Sequence, residues 1–210
     1  MQSIPASPIT RPANIKDQFG DIDIYLFDQI LRGRIVPGMR ILDAGCGSGR
    51  NLVYLLASGY EVFAADRDPQ AIAATRSLAA ALPESNFRLE SVETMSFPDS
   101  FADVVLSSAV LHFAHSDRHF HAMLRGMWRV LKPGGLLFCR LASSIGIERE
   151  VQRVMGRRFL LPDGSERYLV DAALLEKLTQ ELGGQLADPL KTTVVQNQRS
   201  MTTWVVRKNS

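Results

Sequence analysis

Residues 41–51 read ILDAGCGSGRN, a short apolar run that passes into three glycines at alternate positions. The apolar residues predict a buried β-strand, and residues 51–58 predict the helix that follows it. Gly45, Gly47 and Gly49 allow a tight turn and let the backbone approach a ligand with no Cβ in the way. The free N–H groups of the first helical turn would point at that ligand. This stretch therefore predicts a strand–turn–helix unit that binds a nucleoside-type ligand.

Strand patterns and helix patterns alternate on both sides of this unit. The strand patterns occupy residues 39–42, 61–65, 87–92, 102–107 and 136–141, and the helix patterns occupy residues 20–34, 51–58, 69–82, 117–131 and 171–182. Such alternation favours right-handed crossovers and a parallel sheet covered on both faces. Two more β-rich runs, 192–196 and 201–206, are so close in sequence that they must pair antiparallel. The predicted fold is α/β, a Rossmann-like, doubly wound, mostly parallel sheet of seven strands that ends in an antiparallel hairpin.

The composition fits one folded domain in a reducing compartment. Residues 1–19 contain three prolines and are expected to form an extended arm, and residues 20–210 a single domain with a cap segment at about 143–170. A net charge of +2 argues against a nucleic-acid partner, and no apolar run reaches the roughly 20 residues that span a bilayer. Cys46 and Cys139 fit neither a disulfide framework nor a metal-ligand spacing. We therefore expect a cytoplasmic protein with no metal site.

A second candidate binding residue, Asp66, ends the second predicted strand. An acidic side chain at that place can accept hydrogen bonds from both hydroxyls of a ribose, each contributing about 1.5–3 kcal/mol. The dinucleotide-binding fingerprint requires glycine or alanine at the position held here by Arg50. A nucleotide-dependent oxidoreductase is therefore the second hypothesis and not the first.

Three motifs together resemble those of class I S-adenosylmethionine-dependent methyltransferases. Residues 42–49, LDAGCGSG, resemble the first motif of that family, and residues 131–135, LKPGG, resemble a later one. Residues 97–105, FPDSFADVV, resemble the entry to the fourth strand. The resemblance covers about residues 25–142. It implies S-adenosylmethionine as cofactor and S-adenosylhomocysteine as product.

The resemblance also implies which residues bind the cofactor. These are Tyr25, Asp43, Gly45, Cys46, Gly47, Gly49, Asp66, Arg67, Val92, Glu93, Ser107 and Ser108. Asp66 would take the ribose hydroxyls, Arg67 would lie beside the adenine, and the two serines would line the methionine end. Residues 49–51 and 199–204 are also similar to the tellurite-resistance methyltransferase branch.

The candidates for catalysis and acceptor binding depend on position in the chain, because methyl transfer needs little beyond alignment. His112 follows the fourth strand and is the candidate general base, or else it packs there. Cys46, at a helix N-terminus, is either a thiol of lowered pKa or a small filler beside the cofactor. Arg157 and Arg158 are the candidates for binding an anionic group on the acceptor. The alternative is a solvated helix face over residues 149–157, whose arginines pair with neighbouring glutamates.

The segment after the fourth predicted strand reads SSAV at residues 107–110. It lacks the Asn-Pro-Pro-Tyr type motif of enzymes that methylate amino groups of nucleic-acid bases. The sequence thus predicts a small-molecule acceptor, with no nucleic-acid or membrane partner. It selects neither an oligomeric state nor the acceptor atom. A non-catalytic S-adenosylmethionine-binding regulatory protein is the hypothesis from another class.

Overall fold

The computed structural model describes residues 14–210. The helices are α1 (Ile15–Phe19), α2 (Ile24–Leu31), α3 (Val53–Ala57), α4 (Pro69–Leu78), α5 (Asp117–Val130) and α6 (Ala172–Glu181). The strands are β1 (Arg40–Ala44), β2 (Glu61–Asp66), β3 (Phe87–Leu89), β4 (Ala102–Ser108), β5 (Leu131–Ala142), β6 (Gln152–Met155), β7 (Arg158–Leu160), β8 (Glu166–Tyr168), β9 (Gly184–Leu186), β10 (Lys191–Val195) and β11 (Arg199–Lys208).

The central sheet has the strand order β10-β11-β5-β4-β1-β2-β3, and β9 pairs with β11 outside this path. The strands from β5 to β3 in this order are all parallel, whereas β11 runs antiparallel to both of its neighbours in it. The predicted seven-stranded, mostly parallel sheet with a C-terminal hairpin is therefore confirmed. The order reverses between β1 and β4, and ligands bind outside the carboxyl ends of the strands at such a switch point.

Both faces of the sheet are buried, as expected for parallel strands. Leu42 and Val105 face one hydrophobic cluster, and the preceding residues Ile41 and Val104 face the other. Helix α5 covers the first face, while α3 and α4 cover the second. This alternation fixes the strand registers, because a slip by one residue would exchange the two faces.

The segment before the domain differs from its prediction. Residues 1–13 of the predicted arm lie outside the described residues, but residues 15–19 form a helix and not an extended chain. The Asn14 side chain caps this helix by accepting the N–H of Lys16 at 3.1 Å. Phe19 stacks on Tyr54, with ring centroids 5.2 Å apart. The helix therefore packs on the domain that the arm was expected to precede.

The predicted cap at 143–170 contains a small antiparallel sheet of order β6-β7-β8. The helical spacing predicted for residues 149–157 is wrong, because β6 occupies residues 152–155 and Gly156 turns the chain with φ +57°. The small sheet is tied to the end of β5 by a bridge between Ser143 and Val170. It therefore lies beside the carboxyl ends of β4 and β5. Within residues 14–210 no helix combines the length and the apolar character that crossing a bilayer requires.

Candidate functional site

A cleft of about 380 Å³ opens at the carboxyl ends of β1, β2 and β4. The glycine turn forms its floor, and the segments after β2, β3 and β4 form its walls. The residues that line it are Gly45, Cys46, Gly47, Ser48, Arg50, Asn51, Asp66, Arg67, Ser91, Val92, Glu93, Ser108, Ala109, Val110, Phe113, His119 and Met123.

The backbone of the glycine turn is held by hydrogen bonds to β2, and at Gly47 it is open toward the cleft. The N–H groups of Gly45 and Cys46 both donate to the carbonyl of Ala65, at 2.8 and 3.1 Å. A Cβ on Gly45 would lie 2.5 Å from Val110, so only glycine fits that approach. A Cβ on Gly47, where φ is +53°, would meet no atom within 4 Å. The open space above Gly47 is the space that a ligand would fill.

Asp66 is joined directly to the glycine turn. One carboxylate oxygen accepts the N–H of Gly47 at 2.9 Å, and the other accepts the N–H of Asp68 at 2.9 Å. These bonds hold the carboxylate at the cleft wall, and each of its oxygens keeps a lone pair for a further donor. Asp66 can therefore accept hydrogen bonds from a ligand that lies on Gly47.

The end of the cleft near β4 carries an excess of positive charge. Arg50 donates to the Ser108 hydroxyl at 2.8 Å and lies 3.9 Å from the carboxylate of Asp23. Arg140 pairs with the same carboxylate oxygen at 2.9 Å, and the Asp23 side chain is completely buried. Two guanidinium groups thus share one carboxylate. Arg50 lines the cleft and is the one available to an anionic group there.

A carboxylate from the segment after β3 and an imidazole from α5 are paired at the side of the cleft away from Arg50. Glu93, after β3, lies 3.4 Å from Nε2 of His119 on α5. The Nδ1 atom of His119 accepts the N–H of His115 at 3.2 Å, so the neutral ring carries its proton on Nε2 and directs it at Glu93. The pair joins the two walls and leaves Glu93 with acceptor capacity toward the cleft.

Two buried groups lie beneath the turn. Asp43 is buried, its Oδ2 atom has no hydrogen-bond partner among the described residues, and burial raises its pKa to about 7. Burial likewise raises the pKa of the Cys46 thiol to about 12, which is opposite to the effect expected of a helix N-terminus. Cys46 is therefore a small buried filler rather than a reactive thiol.

Known proteins share this sequence pattern and this architecture. The family described as methyltransferase domain matches residues 42–139. The malonyl-[acyl-carrier protein] O-methyltransferase of Serratia marcescens is 32% identical over 141 residues, which are 66% of this chain and 53% of that protein. The chain spans about half the length of the curated relatives it matches. Residues 42–139 of this chain are thus similar to a methyltransferase domain, and the curated relatives that match it are themselves named methyltransferases.

Solved structures show the same fold. A methyltransferase of Methanosarcina mazei described as S-adenosylmethionine-dependent has a TM-score of 0.70 and 22% identity, covering 86% of this chain and 97% of that one. The 1,6-didemethyltoxoflavin-N1-methyltransferase of Burkholderia thailandensis, solved with 1,6-didemethyltoxoflavin and S-adenosylhomocysteine, has a TM-score of 0.67 and 20% identity, covering 86% of this chain and 76% of that one. At these identities the likeness shows the fold alone.

Most of the residues predicted to bind the cofactor line the cleft. Those that do are Gly45, Cys46, Gly47, Asp66, Arg67, Val92, Glu93 and Ser108. Asp43, Gly49 and Ser107 instead lie buried and do not line it. Gly49 serves packing, because a Cβ there would lie 2.9 Å from Leu78. Tyr25 donates to or accepts from Thr193 at 2.7 Å, so its hydroxyl is held against β10.

The residues predicted for catalysis and acceptor binding lie elsewhere. His112 is buried and does not line the cleft. Its Nδ1 atom accepts the N–H of Ala142 at 3.2 Å, and burial together with the charge of Arg167 lowers its pKa to about 4. Arg157 pairs with Asp171 at 2.9 Å, and Arg158 pairs with Glu166 at 2.8 Å. Neither of these arginines lines the cleft.

Several residues that the cleft brings together were not predicted from the sequence. Arg50 follows the third glycine directly, so a helix N-terminus with a cation beside it could have identified it. Ala109 has φ +64°, a strained value for a residue with a Cβ, and its position after β4 gives no sign of this in the sequence. Phe113 and His119 come into the cleft through the turn after β4 and the start of α5. No local pattern distinguishes them from core or surface residues.

Proposed function

We propose that this protein transfers a methyl group from S-adenosylmethionine to a small-molecule acceptor. The observation that carries the proposal is the hydrogen bond from the Gly47 N–H to Asp66, which joins a ligand-accessible glycine turn to an acceptor of ribose hydroxyls. The bond joins the turn after β1 to the end of β2, beside the switch point between β1 and β4. The similarity of residues 42–139 to a methyltransferase domain supports S-adenosylmethionine as the ligand.

The residues of the cleft fit the three parts of S-adenosylmethionine. Asp66 binds the ribose diol, since a carboxylate accepts two hydroxyl protons in charge-assisted bonds. Arg50, with the surplus positive charge, binds the carboxylate of the methionine portion. Arg67, Val92 and Glu93 surround the adenine, and the carboxylate of Glu93 accepts from its amino group. The assignments of Asp66, Arg50 and Glu93 each match a donor to an acceptor.

S-adenosylmethionine supplies a methyl group on a positively charged sulfur, which becomes neutral when the methyl group leaves. The protein holds the acceptor in line with that bond and excludes water from it. Val110, Phe113 and Met123 give the cleft an apolar side suited to this. Among the described residues, His119 is the one imidazole in the cleft wall, and it is engaged by Glu93. We infer that the protein does not have to remove a proton from the acceptor. The nucleophilic atom of the acceptor is either already deprotonated when it enters or is uncharged and has a free lone pair.

The surrounding molecule is consistent with this function. We infer that residues 20–210 act as one methyltransferase domain and that residues 143–170 cover its acceptor side. Both cysteines are free and buried, which suits a reducing location such as the cytoplasm. The near-neutral net charge of +2 supports a small acceptor over a nucleic acid. Membership of the tellurite-resistance branch stays a prediction from residues 49–51 and 199–204.

The direct test is turnover. Purified protein is incubated with S-adenosylmethionine and a panel of small phenols, thiols, amines and carboxylic acids, and S-adenosylhomocysteine is measured by mass spectrometry. We expect release that depends on one class of acceptor and that is absent from the Gly47→Val variant. Binding of S-adenosylmethionine without turnover on any acceptor would favour a non-catalytic regulatory protein. Binding of NAD in place of S-adenosylmethionine would favour an oxidoreductase.

A further inference from the structure

One arginine of the small sheet reaches the rim of the cleft. Strand β8 packs against the turn at residues 111–113, which follows β4. The guanidinium of Arg167, on β8, lies 4.9 Å from the centroid of the Phe113 ring. Phe113 lines the cleft and is 47% exposed. The cap therefore contacts the cleft through an arginine that is stacked on an accessible aromatic ring.

Arg167 carries a charge that no ion pair among the described residues neutralises. Within residues 14–210, no acidic side chain forms an ion pair with it, and its guanidinium donates to the main-chain carbonyl of Glu166 at 2.8 Å. Arg157, in the turn before β7, and Arg158, on β7, are both neutralised by carboxylates. Hydrogen bonds from Ser165, and to a lesser extent the charges of Arg167 and Arg199, lower the pKa of Asp163, but Asp163 forms no ion pair with Arg167. A half-buried cation that forms no ion pair has lost hydration that one carbonyl only partly replaces. An anion that binds this guanidinium from solution would compensate for the lost hydration.

The surroundings of Arg167 separate it from the cofactor residues. Arg50 and Arg67 lie on the segments after β1 and β2, which form the cofactor side of the cleft. Arg167 approaches from the cap, beyond the turn that follows β4. A ligand group bound to it would therefore belong to the second substrate.

We propose that Arg167 binds a carboxylate of the methyl acceptor and that the planar body of this acceptor lies on the exposed surface of Phe113. One guanidinium balances one negative charge, which favours a carboxylate over a dianionic phosphate. The planar fork of arginine matches a carboxylate with two parallel hydrogen bonds. The inference rests on the proposed methyltransferase function and makes Arg167 the residue that selects the acceptor.

The test measures binding of benzoate and of its uncharged analogue benzamide to the full chain saturated with S-adenosylhomocysteine. We expect the wild type to prefer benzoate. Arg167→Gln should weaken benzoate binding by about 10- to 100-fold, with benzamide and S-adenosylhomocysteine affinities unchanged. Arg167→Lys keeps the positive charge but lacks the planar guanidinium. Its affinity for benzoate should therefore lie between that of the wild type and that of Arg167→Gln.

Arg153 provides a matched control. It lies on the same small sheet and its guanidinium also stacks on a phenylalanine, 5.3 Å from the centroid of Phe159. Phe159, unlike Phe113, does not line the cleft. Arg153→Gln should leave benzoate binding unchanged. Equal losses in Arg153→Gln and Arg167→Gln, or a wild type that binds benzoate no better than benzamide, would overturn the inference while the cofactor site stands. A wild type that fails to bind S-adenosylhomocysteine would overturn the proposed function and this inference with it.

Discussion

The carboxylate of Asp66 accepts the backbone N–H of Gly47 at 2.9 Å, and both residues line the same cleft. The bond joins the end of β2 to the turn after β1. It turns two features that are separate in sequence into one binding surface. A ligand that spans them gains from both the carboxylate and the open backbone.

Substitution of Asp66 tests the first half of that surface. Asp66→Ala should weaken binding of S-adenosylmethionine and S-adenosylhomocysteine alike, because both carry the ribose diol. Losing the charge-assisted contacts costs about 1.5–3 kcal/mol, or roughly 10- to 100-fold in affinity. Isothermal calorimetry measures both ligands directly. Unchanged affinity would remove Asp66 from the cofactor site.

Asp68→Ala is the matched control for this substitution. Asp68 is exposed, does not line the cleft, and caps α4 by accepting the N–H of Gln70 at 2.8 Å. Its loss should lower the free energy of unfolding by about 1 kcal/mol and leave ligand affinity as it was.

Substitution of Gly47 tests the second half. Gly47→Val should abolish cofactor binding, because the side chain would enter space that contains no protein atom and that the ligand needs. The positive φ adds about 1–3 kcal/mol of strain. Gly59→Val has the same kind of strain, with φ +74° and no atom near the added Cβ, but lies outside the cleft. We expect thermal unfolding to show a similar loss of stability in both variants, and cofactor binding to be lost only in Gly47→Val. Full cofactor affinity in Gly47→Val would argue against the turn as the binding site.

The central sheet and the cofactor side of the cleft could be predicted because their signals are local. Gly45 and Gly47 mark the turn, and Asp66 follows an apolar strand at the position where a ribose contact is made. The burial alternation between Ile41 and Leu42 is fixed by a sheet covered on both faces. Each of these features is readable within a few residues of sequence.

The acceptor side could not be predicted, because it depends on contacts between distant segments. All four residues of β6 are exposed, so no alternation of burial distinguishes this strand from a solvated helix. Arg158 faces Glu166 only through the pairing of β7 with β8. The packing of β8 against the turn at residues 111–113 brings Arg167 to Phe113, which is far from it in sequence. Arg158 and Arg167 therefore differ in their contacts because of the tertiary structure, and no local sequence pattern predicts this difference.

The buried carboxyl of Asp43 makes stability depend on pH. Burial raises its pKa from 3.8 to about 7, so the folded chain holds this proton more tightly than the unfolded chain does. Its contribution to stability is therefore lost as the pH rises from about 4 to about 7, by roughly 4 kcal/mol at most. Asp43→Asn keeps the shape without the charge and should gain stability relative to wild type across that range. Urea unfolding at several pH values measures this, and a constant difference between the two proteins would contradict it.

The buried imidazole of His112 makes stability depend on pH in the opposite direction. Burial and the nearby Arg167 lower its pKa from 6.5 to about 4, so the unfolded chain takes up the proton first as the pH falls. Its contribution is present above pH 6.5 and is lost toward pH 4, by roughly 3 kcal/mol at most. His112→Asn retains an acceptor for the N–H of Ala142 and should remove this loss. If the pH profile of kcat also changed shape in His112→Asn, the imidazole would have to take part in catalysis.

The central claim is that the cleft above Gly47 binds S-adenosylmethionine, and a competition titration tests it most directly. The wild-type chain is titrated with S-adenosylhomocysteine in calorimetry, alone and then in the presence of S-adenosylmethionine or NAD. We expect one site per chain, displacement by S-adenosylmethionine and no effect of NAD. Absence of S-adenosylhomocysteine binding, or displacement by NAD alone, would contradict it.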